Sequence, residues 1–124
     1  MGWEGSWLHC LIERLRDGPV ESDLKPYRRV VETAARIEPE LRKASDQELA
    51  ARARLLRQAD LEEPSDGVLS ELASLVREAA RRSIGLRAFD VQVLAGTAMC
   101  RQRLVEMQTG EGKTLVAVFP AVLN

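Results

Sequence analysis

The segment MQTGEGKT, Met107–Thr114, decides which kind of fold this 124-residue sequence predicts. It ends in Gly112-Lys113-Thr114, the close of the phosphate-binding pattern G-x-x-x-x-G-K-[ST]. Met107 stands where the strict pattern has glycine, a departure that favours helicase-type and translocase-type loops over kinases and small GTPases. The run Arg103–Met107 predicts a strand before the loop, and the apolar Leu115–Leu123 predicts a buried helix after it. Strand, glycine-rich turn and helix is the setting that a phosphate loop requires.

The residue types of the loop suit a triphosphate chain. Gly110 and Gly112 let the backbone bend so that successive N–H groups point at the phosphates, and the next helix presents its positive end. We expect the Lys113 ammonium to reach the β- and γ-phosphates and the Thr114 hydroxyl to ligate Mg²⁺. Glu111 should point outward, because an inward carboxylate would repel phosphate. The alternative is a glycine-rich turn that precedes a helix by chance.

The residues before the loop predict helices. Ser45–Glu48 has the pattern of a capping box, Asp90 is expected to cap the last of these helices, and Glu63–Gly67 is expected to be a loop. Pro39 should begin a new turn or bend its helix, and Pro120 should kink the helix that contains it. Apolar residues recur at helical spacing in five stretches: Ser6–Arg16, Tyr27–Leu41, Leu49 to about Asp60, Leu69 to Gly85, and Asp90 onward. The expected core stripes of the last two are Leu69, Leu72, Val76 and Ala79, then Val91, Leu94, Ala95 and Ala98.

Composition narrows the function classes. The net charge is −1 with mixed signs, so we do not expect a partner that is a nucleic acid. The two cysteines, Cys10 and Cys100, lie far apart and do not indicate a disulfide framework. The sequence contains no run of about 20 apolar residues, so it predicts no membrane span. Its start lacks the pattern of a secretory signal.

The sequences RAFDVQ, Arg87–Gln92, and RLVEMQTGEGKTL, Arg103–Leu115, closely resemble the first nucleotide-binding domain of SecA, the bacterial preprotein translocase motor. The likeness extends from about Tyr27 to Asn124. It implies an α/β P-loop motor domain of the RecA/helicase-like class in the parent, of which this stretch is mostly α-helical with about one β-strand before the P-loop. It divides the chain into an N-terminal amphipathic helix and linker, 1–25, and the incomplete first part of nucleotide-binding domain 1, 26–124, helical up to about residue 100.

The resemblance also implies residue roles. Gln92 falls where the family has its adenine-reading glutamine, whose amide can donate to a ring nitrogen and accept from the exocyclic amine. Lys113 and Thr114 take the catalytic positions, and Thr114 is the Mg²⁺ ligand. The implied ATP-binding residues are Leu86, Arg87, Gln92, Met107, Gln108, Thr109, Gly110, Glu111, Gly112, Lys113 and Thr114.

In function, the resemblance implies coupling of ATP hydrolysis to the transport of unfolded preproteins through the SecY/SecE/SecG channel. Such a motor is cytoplasmic and docks on the inner face of the bacterial cell membrane, where anionic lipids and a second copy are further candidate partners. Met1–Lys25 lacks the basic start of the family, so lipid binding by this segment is not expected. Gln108 and Ala95 replace residues common in housekeeping members, which leaves an accessory SecA open.

The acid that supports Mg²⁺ and the group that orients the attacking water follow the P-loop in this family. We therefore expect this stretch to help bind ATP without hydrolysing it alone, and to be helical but loosely packed in isolation. Two alternatives remain. One is a nucleic-acid helicase, which shares the Thr-Gly-x-Gly-Lys-Thr loop, and the other is a non-catalytic binding module in which Met1–Gly85 docks partners.

Overall fold

A computed structural model describes residues 24–59, 62–103, 105 and 112–123, which form five helices around one core. Their bounds are α1 Lys25–Leu41, α2 Asp46–Leu56, α3 Asp66–Ile84, α4 Asp90–Cys100 and α5 Lys113–Leu123. The predicted helix Ser6–Arg16 lies outside these residues. No strand occurs within them, and the two described members of the predicted strand, Arg103 and Val105, give it no support. None of the described helices is long and apolar enough to cross a bilayer.

Helix α3 is the centre of the bundle, because it contacts all four other helices. Every residue from Leu72 to Glu78 is buried, so α3 has core contacts around much of its circumference. Against it α1 buries Val30, Ala34 and Leu41, as the apolar spacing predicts. Burial of the Val30 and Leu41 side chains contributes about 1.5–3 kcal/mol each. The predicted core residue Ala79 is exposed, which is a correction to the expected stripe.

The helix ends follow local side-chain chemistry. The Ser45 hydroxyl accepts the Glu48 N–H at 3.2 Å, and the Glu48 carboxylate accepts the Ser45 N–H at 2.6 Å, so the capping box is confirmed. Gly85 ends α3 with φ 70°, as predicted. The Ser65 hydroxyl accepts the Val68 N–H at 3.3 Å, so α3 starts inside the predicted loop, at Asp66.

Three further boundaries differ from expectation. Helix α2 ends at Leu56, before the expected Asp60, and α5 begins at Lys113 instead of Leu115. Phe89, not Asp90, is the N-cap of α4. The Asp90 carboxylate accepts a hydrogen bond from Arg77 instead, and that contact draws it away from a capping role. Both prolines lie within continuous helices, Pro39 in α1 and Pro120 in α5.

The core face of α4 was predicted in part, because Ala95 is buried and Leu94 packs against the core as expected. Val91, the first residue of the expected stripe, is 48% exposed. Because α4 packs against α1 and α3 as well as α5, its buried surface includes polar positions that a single apolar stripe omits. The buried residues are Gln92, Val93, Ala95, Gly96, Thr97 and Cys100.

Arginines on α3 and α4 connect helix ends that are distant in sequence. Arg82 donates to the carbonyl oxygens of Leu41 at 3.1 Å and Ala44 at 2.6 Å, which ties α3 to the end of α1 and the turn after it. Arg101 donates to the Pro64 carbonyl at 3.2 Å and lies over the Tyr27 ring, 5.7 Å from its centroid. These contacts fix where the helices meet.

Acid should weaken the C-terminal half of α3 through Glu78. Hydrogen bonds from Arg81, and then from Arg82, lower the pKa of Glu78 to about 2, although burial opposes the shift. Since the folded pKa lies below the ordinary value of 4.5, the stabilisation is complete above pH 4.5 and is lost as the pH falls towards 2. An acid titration followed by far-ultraviolet circular dichroism should lose helix across this window, and Glu78→Gln should flatten that part of the curve. An unchanged curve in the variant would contradict this role.

Replacing Gln102 with glycine should stabilise the end of α4. Gln102 is the non-glycine residue with positive φ, 57°, among the described residues, and it follows α4 where glycine is favoured. A left-handed conformation costs an L-residue about 1–2 kcal/mol, so Gln102→Gly should gain about 1 kcal/mol. Hydrogen exchange of peptides spanning α4 in the full-length protein should slow accordingly. Gln102→Ala is the control, because it keeps the strain and should not slow exchange.

Candidate functional site

The N-terminal ends of α4 and α5 meet at Gln92 and Gly112. Gly112 has φ 75°, and its carbonyl accepts the N–H groups of Leu115 at 3.2 Å and Val116 at 3.4 Å, so it starts α5. A Cβ on Gly112 would collide with Nε2 of Gln92. The structure therefore brings the predicted base-reading side chain against the predicted phosphate loop, although a helix and a connecting segment separate them in sequence.

The Gln92 side chain is buried and its amide is oriented. Its Oε1 accepts the backbone N–H of Phe89 at 2.8 Å, and this leaves Nε2 on the side of Gly112. We expected the oxygen to accept from an adenine amine. A carbonyl oxygen has two lone pairs, and the bond to Phe89 uses one of them. The sequence pattern located this residue but did not indicate that a backbone group orients it.

Lys113 and Thr114 are the first two residues of α5, and both are exposed. The positive end of the helix dipole lies at the same place. An ammonium, a hydroxyl and backbone donors at one helix end suit a bound anion, and the Thr114 oxygen suits Mg²⁺. No group of three or more histidine, cysteine or acidic side chains that could hold a metal occurs in the described part of the chain. The remaining predicted loop residues, Met107–Glu111, lie outside it.

A close helix contact fixes the distance between the two halves of the site. Phe119 of α5 is fully buried and lies directly on Gly96 of α4. A Cβ on Gly96 would lie 2.5 Å from Cγ and 2.6 Å from Cδ2 of the Phe119 ring. Only glycine lets the ring approach this closely, so Gly96 sets the separation between α4 and α5.

A buried guanidinium supports the segment that leads into Gln92. Arg77, with a side chain 1% exposed, donates to the Glu38 carboxylate at 2.9 Å, to the Ala88 carbonyl at 3.0 Å and to the Asp90 carboxylate at 2.7 Å. Three helices, α1, α3 and α4, therefore meet at one side chain. All the guanidinium's partners lie at the C-terminal end of α1 or at the entrance to α4.

Arg87 was expected to border the base, and the structure places its guanidinium on Glu38. It donates to both carboxylate oxygens, at 2.9 and 2.8 Å. Burial alone raises the pKa of Glu38, but the hydrogen bond from Arg87 and the positive charge of Arg77 outweigh burial and leave that pKa below its ordinary value. Glu38 is therefore a carboxylate held by two arginines. Helical spacing gave no signal for this role.

Leu86 and Phe89 present apolar surface beside the entrance to α4. Leu86 is 60% exposed, and Phe89, which the sequence did not single out, is 71% exposed. The Phe89 backbone orients Gln92, so the exposed ring belongs to a residue already in contact with the candidate site. An aromatic residue directly before a helix, three residues ahead of the candidate base-reading glutamine, is the signal that could have identified it.

Comparison with known proteins gives one consistent result. The model of the SecA DEAD-like domain family matches residues 12–124. The chain is 44% identical over 107 residues to the chloroplastic protein translocase subunit SecA of Spinacia oleracea, covering 86% of this chain and 10% of that protein. It is also 44% identical over 115 residues to the protein translocase subunit SecA of Granulibacter bethesdensis, covering 92% of this chain and 12% of that protein. This chain thus spans about a tenth of the length of these curated relatives.

Gly96→Ala should separate α4 from α5. The added methyl group has no room beside Phe119, and overpacking of this kind costs about 1–3 kcal/mol. Hydrogen exchange in the full-length protein should accelerate in peptides from both helices. Gly67→Ala is the matched control, because a Cβ there would meet only the Ser65 hydroxyl at 3.8 Å and alanine favours a helix. Equal exchange in the two variants would show that the close contact is not structurally required.

Proposed function

Since this chain belongs to the SecA family, we propose that it forms the ATP-binding N-terminal part of a motor that couples ATP hydrolysis to preprotein translocation through the SecY channel. The hydrolytic groups that act on the attacking water are expected from the rest of the protein. The described residues contribute the binding of the base and of the phosphates.

One observation carries the proposal: the Gln92 amide lies against Gly112. An adenine nucleotide needs a base-reading group and a phosphate cradle at the two ends of a single ligand. Here a buried, oriented amide and the start of the helix with exposed Lys113 and Thr114 lie side by side. A non-catalytic helical module would have no need for this juxtaposition.

Each residue has a distinct proposed task. The Lys113 ammonium binds the β- and γ-phosphates, and the amides of Gly110 and Gly112 surround the phosphate chain. The Thr114 hydroxyl holds Mg²⁺, which neutralises charge on the phosphates when bound. Gln92 reads the adenine edge, and the exposed Leu86 and Phe89 side chains provide apolar surface for the base. Arg87 binds the Glu38 carboxylate and so supports the segment that leads into Gln92.

The proposed partners are an unfolded preprotein and the SecY/SecE/SecG channel, with the motor in the cytoplasm against the inner face of the cell membrane. Support comes from the family and from the names of the relatives, which are protein translocase subunits. Anionic lipids and a second copy of the parent protein are further proposed partners. The described chain shows mixed charge and does not single out a nucleic acid.

Lys113→Ala in the full-length protein should abolish ATP-dependent transport of a preprotein into membrane vesicles. Loss of a cationic group that stabilises transferring phosphate should reduce turnover on the order of 10²–10³-fold. Lys43→Ala is the matched control, because Lys43 is exposed at the end of α1, away from α5 in sequence, and transport should continue. Transport at the unaltered rate with Lys113→Ala would contradict the assignment. Turnover stimulated by RNA but not by preprotein would favour the helicase alternative.

A further inference from the structure

We propose that Glu38 is a positioning residue for adenine recognition, acting through Arg77 and Arg87 on the Gln92 amide. This inference rests on the proposed function, because it assigns a task within the same nucleotide site. Glu38 lies near the end of α1 and is not expected to touch the nucleotide. Its effect passes through contacts that are all present in the structure.

The first step is a single peptide group held from both sides. Arg77 donates through Nε to the carbonyl oxygen of Ala88 at 3.0 Å, and Gln92 accepts the N–H of Phe89 at 2.8 Å. This C=O and this N–H belong to the same planar peptide unit, so rotating one rotates the other. The orientation of that plane therefore links the Arg77 guanidinium to the Gln92 amide.

The second step is the control of Arg77 by Glu38. A guanidinium that is 1% exposed needs a carboxylate partner, and two are within reach. The Asp90 side chain is 70% exposed, so water screens its attraction, whereas the Glu38 side chain is only 9% exposed. Glu38 is therefore the partner that fixes where Arg77 lies.

The third step is that Glu38 also holds the residue directly before the peptide group. Arg87 binds both oxygens of Glu38, so the backbone at Ala88 is anchored from its N-terminal side as well. A bidentate arginine–carboxylate pair fixes direction as well as distance. One carboxylate thus positions the entire entrance to α4.

The phosphate cradle has a further support that does not pass through Glu38. Gly112, Lys113 and Thr114 begin α5, which is held against α4 by the contact between Phe119 and Gly96. The Glu38 carboxylate accepts hydrogen bonds from Arg77 and Arg87, and neither arginine belongs to α5. Disturbing Glu38 should therefore weaken recognition of the base while leaving phosphate binding intact. A purely structural role would weaken both.

Glu38→Gln in the full-length protein tests this separation, with calorimetric titration of ADP and of inorganic tripolyphosphate as probes. We expect the ADP affinity to fall about tenfold, because a misoriented Gln92 amide would lose about one hydrogen bond to the base. The tripolyphosphate affinity should stay within about twofold of that of the unaltered protein, because Glu38 does not contact the phosphate cradle. The preference for ATP over GTP should fall together with ADP affinity.

Arg87→Gln is a second variant that leaves the buried Arg77–Glu38 pair intact, so it decides the question if Glu38→Gln does not fold. The Arg87 side chain is 44% exposed. The Arg87→Gln variant should therefore show the same selective loss of ADP affinity to a smaller degree. Glu32→Gln, an exposed carboxylate on the same helix, is the matched control and should change neither affinity.

Two results in these variants would overturn the inference. Parallel loss of ADP and tripolyphosphate would indicate a general structural role, and unchanged binding of both would indicate no role. If the unaltered protein binds neither probe, the proposed nucleotide site itself is wrong, and the inference fails with it. The unaltered protein therefore separates the two failures.

Discussion

The candidate site depends on the hydrogen bonds and ion pairs of the buried Arg77 guanidinium. It joins α1, α3 and the entrance to α4 through Glu38, the Ala88 carbonyl and Asp90. Removing one partner of a buried ion pair costs about 3–5 kcal/mol, because the remaining charge is left without compensation in a low-dielectric interior. Arg77 orients the peptide group between Ala88 and Phe89, and the N–H of that group orients the Gln92 amide.

A second constraint is steric and acts between α4 and α5. Gly96 offers no side chain, so the Phe119 ring lies on the backbone of α4, and the two helices approach closely. Their N-terminal ends then meet at Gln92 and Gly112. The electrostatic contact and the steric contact act on different helices of the same site. Together they hold Gln92 beside Gly112, the residues to which we assign the base and the phosphates.

Two different supports, one by ion pairs and one by apolar packing, suit the nucleotide motor that we propose. The phosphates of ATP change during turnover, whereas the base does not. A site whose two halves rest on separate supports can keep the base bound while the helix at the phosphates responds to the chemistry. In this chain the entrance to α4, the proposed base side, is tied to α1 and α3 by ion pairs. The start of α5, the proposed phosphate side, is tied to α4 by apolar packing. The arrangement is consistent with the family to which the chain belongs.

The sequence alone was enough to predict the features whose causes are local. The capping box at Ser45, the glycine that ends α3 and the apolar stripe of α1 all depend on neighbours within a few residues. The core face of α4, the capping residue Phe89 and the burial of Glu38 with Arg77 were decided by the tertiary structure. Periodicity assumes one buried side per helix, and α4 packs on several neighbours. An ion pair between α1 and α3 has no local signature, because its partners meet only after the helices pack.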